Sequence, residues 1–175
     1  MELSRPLSKL CGGEVWLKLE NYQVTGSFKI RGATNKLLSL SEDERRRGVV
    51  TSSSGNHAQG VAYAARELGV EATVVVPELT PKVKVDAIRE YGVNLIVEGR
   101  EYMDSERLAR RLEREKGLTF VSPYNDLELI KGQATVAMEM VEDHPDMDMV
   151  LVPVGGGGLA SGVASVIKQA TDASV

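Results

Sequence analysis

Short β-branched runs alternate with longer amphipathic segments along nearly the whole chain, and few folds accommodate that order. Strand-like runs occupy Val15–Leu19, Val49–Ser52, Ala72–Val76, Asn94–Val97, Thr119–Val121 and Met149–Val154. Between and after them, apolar residues recur three or four apart over Phe28–Ser39, His57–Leu68, Pro81–Tyr91, Tyr102–Lys116, Leu129–Glu142 and Leu159–Ala170. That is the period of a helix with one buried face. Strands separated by helices pair in parallel through right-handed crossovers, so the expected class is α/β, with helices flanking parallel sheets. Val74–Val76 and Val150–Val154 are almost wholly apolar, as strands covered on both faces are. Gly69, Gly92 and Gly117 each follow a helix, where a left-handed cap is expected, and Pro81 opens a helix that Thr80 is placed to cap.

Composition narrows the partners. A net charge of −4 gives no general attraction to nucleic acid or to anionic membranes. The charged face of Tyr102–Lys116 mixes Glu106 and Glu113 with Arg107, Arg110, Arg111 and Arg114, which reads as a solvated helix face and not a nucleic-acid patch. The Arg45–Arg47 triplet, preceded by Glu42, Asp43 and Glu44, reads the same way. Cys11 is the only cysteine, so an intrachain disulfide is impossible and a reducing compartment fits. No apolar run approaches the roughly 20 residues that span a bilayer, and Met1–Leu10 lacks a signal-peptide core. The expectation is a cytoplasmic protein with no membrane contact.

In an open α/β sheet, ligands bind where strands turn into helices. Three such turns are rich in small and polar residues. The first, Asn21–Gly32, puts Lys29 in the opening turn of a helix that Thr25 or Ser27 is placed to cap. A cation there opposes the helix dipole, which favours the neutral amine needed for carbonyl attack. Alone, Lys29 reads as a surface lysine. The second turn, Ser52–His57, offers hydroxyls and backbone amides to an anion. Alone it reads as ordinary capping. A Ser–His hydrolase lacks its G-x-S-x-G elbow here. The third turn carries Gly155–Gly158, four of the 17 glycines, between an apolar run and a helix. Such a run makes sense where backbone must approach a phosphate closely. Gly155, Gly157 and Ala160 satisfy a dinucleotide pattern, but it falls near the end of the chain and not in a first βα turn. No Walker lysine follows, which excludes a P-loop.

Together the three turns resemble the fold-type II pyridoxal-phosphate enzymes, whose architecture is tryptophan synthase beta-like, and most closely their serine/threonine dehydratase and serine racemase branch. Thr25–Ala33 is similar to the Schiff-base lysine motif, Ser54–Gly60 to the asparagine loop and Gly155–Leu159 to the phosphate-binding glycine loop. Thr80-Pro81 with Lys82 and Lys84, Pro123-Tyr124-Asn125 and Gly132–Thr135 match further landmarks in the same order. The resemblance implies that Lys29 holds pyridoxal 5'-phosphate as a Schiff base and then serves as base at the substrate Cα. It implies that Phe28 lies beside the cofactor ring and that Asn56 bonds its phenolic oxygen. Gly155, Gly156, Gly157, Gly158 and Leu159 would cradle the phosphate. Ser53, Ser54, Asn56 and His57 would surround the carboxylate of a small amino-acid substrate. The implied reaction is β-elimination of L-threonine or L-serine to a 2-oxo acid and ammonia.

Ser54 stands where the dehydratase branch usually has alanine and the racemase branch has serine, so a racemase using Lys29 and Ser54 is the alternative. Ala134 replaces a usual glycine. By the resemblance, residues 48–124 form a small domain inserted into a larger one built from residues 1–47 and 125–175. Family members run to nearly twice this length, which implies a truncated large domain and raises a third reading, a non-catalytic fragment with an incomplete cofactor site. No metal site is expected within these residues, because the family's usual cation ligands fall in the missing part. The complete protein is expected to be a homo-oligomer of two or four copies.

Overall fold

A computed structural model describes the chain from Met1 to Val175. Its elements run β1 (Glu2–Leu3), α1 (Arg5–Cys11), β2 (Trp16–Leu17), a 3-10 turn (Glu20–Tyr22), α2 (Lys29–Leu38), α3 (Glu42–Arg47), β3 (Val49–Ser52), α4 (Asn56–Leu68), β4 (Ala72–Val76), α5 (Lys82–Arg89), β5 (Asn94–Val97), α6 (Tyr102–Lys116), β6 (Thr119–Phe120), α7 (Leu127–Asp143) and α8 (Gly158–Ala170). The chain is α/β. Four strands form a parallel sheet in the order β5-β4-β3-β6, with Val49 opposite Ala72 and Thr119, and Val74 opposite Leu95. β1 and β2 form a separate antiparallel pair.

The pleat sorts the valines between two faces. Val49 packs with Ala33 and Leu37 of α2, Val61 and Ala65 of α4, and Leu129 of α7. Val74 and Val76 meet Ala58 of α4 with Val85 and Ile88 of α5. Val50, Val75 and Phe120 point the other way, onto Leu108, Ala109 and Leu112 of α6. Val74, Val75 and Val76 are all fully buried, and burying each such side chain is worth about 2 kcal/mol. A further apolar cluster joins α7 and α8 away from the sheet, through Val136, Ala137, Met140, Val163 and Ile167.

Helices α2, α7 and α8 cross at glycines. A Cβ on Gly132 would stand 2.6 Å from both the Arg31 carbonyl oxygen and the Gly32 Cα, and one on Gly162 would stand 2.7 Å from the Ile130 carbonyl oxygen. Only glycine lets these backbones approach so closely. Beside this crossing, Arg31 is bidentate to Glu20 (2.7 and 2.9 Å) and to Glu139 (2.5 and 2.8 Å), and it also donates to Thr135 (3.0 Å). The network ties the 3-10 turn, α2 and α7 together.

The Glu42–Arg47 charges form their own helix. Ser41 and Glu44 make a reciprocal capping box, the acids fill the first turn and the arginines the last, as the helix dipole favours. On α6, Arg107 pairs with Asp104 and Arg110 with Glu113, so its charges are a solvated mixed face. Gly69 and Gly117 are left-handed caps, with φ of 64° and 67°.

Several expectations are corrected. Met149–Val154 is extended but is not a strand: a single bridge pairs Met149 with Ser174, and Leu151 and Val154 are 87% and 71% exposed. A strand exists only where a neighbour completes its ladder, and here Ser174 supplies one bridge and the ladder goes no further. Val15–Leu19 shortens to Trp16–Leu17 and pairs antiparallel with Glu2–Leu3, outside the parallel sheet. Thr80 does not cap α5. Pro81 holds the cap position, and the Thr80 hydroxyl has no partner. No helix is long and apolar enough to cross a membrane.

Candidate active site

Lys29 is the first residue of α2. Helix α4 presses on it from behind: a Cβ on Gly60 would come within 3.1 Å of the Lys29 carbonyl carbon. With the backbone held, the half-buried side chain reaches across to residue 123, where Nζ donates a 2.6 Å hydrogen bond to the Pro123 carbonyl oxygen. The Phe28 ring centre lies 5.3 Å from Nζ. Burial lowers the lysine pKa from its ordinary value, because desolvation disfavours the ammonium form. The expected direction is therefore found, with desolvation as its cause. Neither expected cap of α2 forms. The Lys29 amide donates a 3.4 Å bond to Ser27 Oγ, two residues back, and the buried Thr25 hydroxyl has no partner.

The asparagine loop leaves β3 at the carboxyl end of the sheet and opens α4. Ser53 Oγ accepts from the Gly55 amide at 3.3 Å, which tightens the turn. The amides of Ser54, Asn56, His57 and Ala58 donate to no protein group, and Gly55 provides no side-chain cap. Asn56 is exposed, while Ser53 and Ser54 are half-buried. The His57 ring turns inward instead. It is 3% exposed, and Nε2 lies 3.1 Å from the Val121 carbonyl oxygen, which also accepts from Thr51 Oγ1 at 2.8 Å. Its Nδ1 is buried without a partner. Burial in this setting, with the Lys29 charge nearby, pushes its pKa down to about 4, so the ring is neutral. What His57 presents to the loop is its backbone amide.

The glycine loop opens α8. The amides of Gly155, Gly156, Gly157, Gly158, Leu159 and Ala160 donate to no backbone or side-chain acceptor. Gly157 has φ 86°, a left-handed conformation. Space around Gly155 and Gly157 is open, whereas Gly156 and Gly158 lie against Tyr124: a Cβ on Gly156 would be 2.5 Å from the ring, and one on Gly158 would be 2.8 Å from the Tyr124 carbonyl oxygen.

Two of the three turns meet at one segment. Pro123 holds the Lys29 amine and Tyr124 packs under the glycine loop. In the sequence Pro123 and Tyr124 stand out only as landmarks, because a carbonyl acting on a lysine 94 residues away leaves no local pattern. The Arg31 network escapes notice there for the same reason, since Glu139 lies 108 residues from Arg31. The cofactor implied by the resemblance is tested by these observations. A row of unsatisfied amides at a helix start suits a phosphate. The buried Ser52 hydroxyl at the end of β3 lacks a partner as well. A desolvated lysine amine suits covalent attachment of an aldehyde. The residues present fit the group.

Comparisons with known proteins agree. The L-threonine ammonia-lyase of Thermotoga maritima is 52% identical over 166 residues, covering 95% of this chain and 41% of that protein. Among solved structures, the processed form of threonine deaminase isoform 2 from Solanum lycopersicum superposes with a TM-score of 0.94 at 41% identity, over 97% of this chain and 47% of that one. Serine racemase from Dictyostelium discoideum superposes with a TM-score of 0.89 at 38% identity, over 97% of this chain and 56% of that one. The chain thus spans about half the length of the curated relatives it matches. The family described as pyridoxal-phosphate dependent enzyme matches residues 1–175, and the chain belongs to that family.

Proposed function

We propose that this chain carries the lysine, phosphate and carboxylate sites of an ammonia-lyase that converts L-threonine or L-serine to a 2-oxo acid and ammonia. The observation that carries the reading is the Lys29 amine, desolvated and held on the Pro123 carbonyl, on the same segment that supports a glycine loop with free amides. Relatives named for acting on L-threonine support the substrate class. Bound pyridoxal phosphate supplies an electron sink for charge developing at the substrate Cα. The chain's own residues do the rest. The Gly155–Ala160 amides hold the phosphate, Leu159 among them, and Phe28 borders the ring. The Ser54, Asn56 and His57 amides, with the Ser53 and Ser54 hydroxyls, hold the substrate carboxylate, and the Asn56 side chain bonds the cofactor's phenolic oxygen. Lys29 anchors the cofactor and takes the Cα proton. Its lowered pKa keeps a larger neutral fraction available for both tasks.

The organisation proposed is a small domain of residues 48–124, containing the parallel sheet, and a larger one to which residues 1–47 and 125–175 contribute. The supporting observation is that all four parallel strands fall within 49–120, while α2, α7 and α8 lie outside that range in the chain, with α7 packing on both α2 and α8.

The test is borohydride reduction of the chain in the presence of pyridoxal phosphate, followed by mapping of the adduct, together with assays for ammonia and 2-oxo acid. An adduct on Lys29 that disappears in Lys29→Ala supports the reading; an adduct confined to other lysines refutes it. A second reading, racemisation, draws on one observation: the half-buried Ser54 hydroxyl makes no hydrogen bond and is free to exchange a proton. D-serine formation that is lost in Ser54→Ala would select it.

A further inference from the structure

Tyr124 is 37% exposed, yet it is the most crowded neighbour of the glycine loop. A Cβ on Gly156 would meet three atoms of its side chain at 2.5, 2.6 and 2.8 Å, so the Gly156 backbone lies directly on the ring. A Cβ on Gly158 would meet the Tyr124 carbonyl oxygen and Cα at 2.8 and 3.1 Å, so the first residue of α8 lies on the Tyr124 backbone. Two of the four glycines are therefore required by this tyrosine and not by the space a phosphate would fill, which is open around Gly155 and Gly157. The residue before it carries the only hydrogen bond of the Lys29 amine. The turn itself is pinned: the Asn125 amide donates to Ser122 Oγ at 3.4 Å, and Ser122 Oγ donates in turn to Asn125 Oδ1.

We propose that Pro123–Tyr124 is a positioning element that couples the phosphate cradle to the reactive lysine: Tyr124 shapes the loop by packing, and the Pro123 carbonyl holds the amine. The inference rests on the functional reading above for what the loop binds. Displacing Tyr124 lets the Gly156 peptide rotate, and its amide ceases to point where its neighbours point. The same displacement moves the Pro123 carbonyl, because the two residues share a peptide bond. The loop and the lysine then respond together although no side chain of one touches the other.

The experiment uses the 175-residue chain with no cofactor and then with inorganic phosphate or pyridoxal phosphate. Variants are Tyr124→Ala, Tyr124→Phe and Gly156→Ala, the last placing a methyl against the ring while leaving residue 124 itself unsubstituted. Losing one amide bond to a charged phosphate weakens binding by about tenfold. That loss is expected in Tyr124→Ala and Gly156→Ala, with recovery in Tyr124→Phe, which keeps the ring. The second readout is the rate at which Lys29 alone is acetylated in the absence of any ligand, followed by peptide mass spectrometry. Gly156→Ala is expected to change that rate at least twofold, whereas a purely local role in the loop leaves it unmoved. Weaker phosphate binding with unchanged Lys29 acetylation overturns the coupling. Unchanged phosphate binding in both Tyr124→Ala and Gly156→Ala overturns the positioning role. If Tyr124→Ala does not fold, Gly156→Ala and Tyr124→Phe decide both points. A wild-type chain that binds neither phosphate nor pyridoxal phosphate refutes the functional reading, and the Gly156→Ala acetylation rate still decides the coupling by itself.

Discussion

His57 makes the stability of this chain depend on pH in a direction and size that can be worked out. Its ring is neutral and fully enclosed, with Nε2 on the Val121 carbonyl oxygen and Nδ1 facing no acceptor. Adding a proton would create a buried N–H with nothing to bond, beside the Lys29 charge. The pKa accordingly falls to about 4 from an ordinary value of 6.5. Because the folded pKa is depressed, the unfolded chain binds the proton first. Stability is complete above pH 6.5 and is lost as pH falls toward 4. Integrating that difference gives a loss of about 2 kcal/mol at pH 5 and about 3 kcal/mol at pH 4. His57→Gln keeps an amide donor for Val121 but cannot titrate. Urea midpoints of wild type and variant, taken between about pH 7 and pH 4, isolate the effect because carboxylate titrations cancel in the difference. The expected result is a wild-type stability that drops relative to His57→Gln by the stated amounts. A difference that stays flat across the range would refute the reasoning and show that the ring is hydrated or paired in solution.

Three further substitutions test the frame around the site. Gly132→Ala gains about 1 kcal/mol of helix propensity but forces a methyl to 2.6 Å from two backbone atoms. Overpacking of that kind costs about 3 kcal/mol, so a net loss near 2 kcal/mol is expected in thermal unfolding, and a stabilised variant would contradict the crossing. Arg31→Lys replaces two bidentate pairs with a single point charge, with an expected loss of about 2 kcal/mol at this shielded position. Denaturant midpoints check it, and an unchanged midpoint would mean the network contributes nothing. Gly157→Ala imposes a left-handed backbone on alanine at a cost of about 1 kcal/mol. Pyridoxal phosphate titration should show weaker binding, with the melting temperature lowered by only about 2–4 °C; undiminished affinity would show that the loop tolerates another conformation.

Local signals carried well where the cause was local. The Tyr102–Lys116 helix has the bounds its periodicity predicts, and Gly69 and Gly117 cap helices as left-handed glycines. Lys29 opens its helix, and the glycine run opens α8, because the turns that start helices are written in adjacent residues. Short elements escaped: Glu42–Arg47 is too brief to show a period, although its charge order and Ser41 capping box are visible afterwards. Thr25, Ser27 and Thr80 are good capping residues by type, but Phe28 and Pro81 hold the cap positions: the Thr25 and Thr80 hydroxyls have no partner, and Ser27 reaches only the Lys29 amide, at 3.4 Å.

The sequence by itself determined the α/β class, the alternation of the central strands and helices from Val49 to Lys116, and which residue types stand at each turn, because period, capping and apolar runs act over a few neighbouring residues. Only the tertiary structure decided which strands pair. Val150–Val154 has a strand's composition, yet beyond the single bridge at Met149, in which the Val150 amide bonds Ser174, it stays unpaired, since a ladder needs a partner that no local pattern supplies. It also decided why Lys29 is unusual, through burial and a carbonyl 94 residues away, and that His57 faces the core while Tyr124 carries the glycine loop. Desolvation and close packing depend on what surrounds a group in space, and residues distant in the chain supply those surroundings.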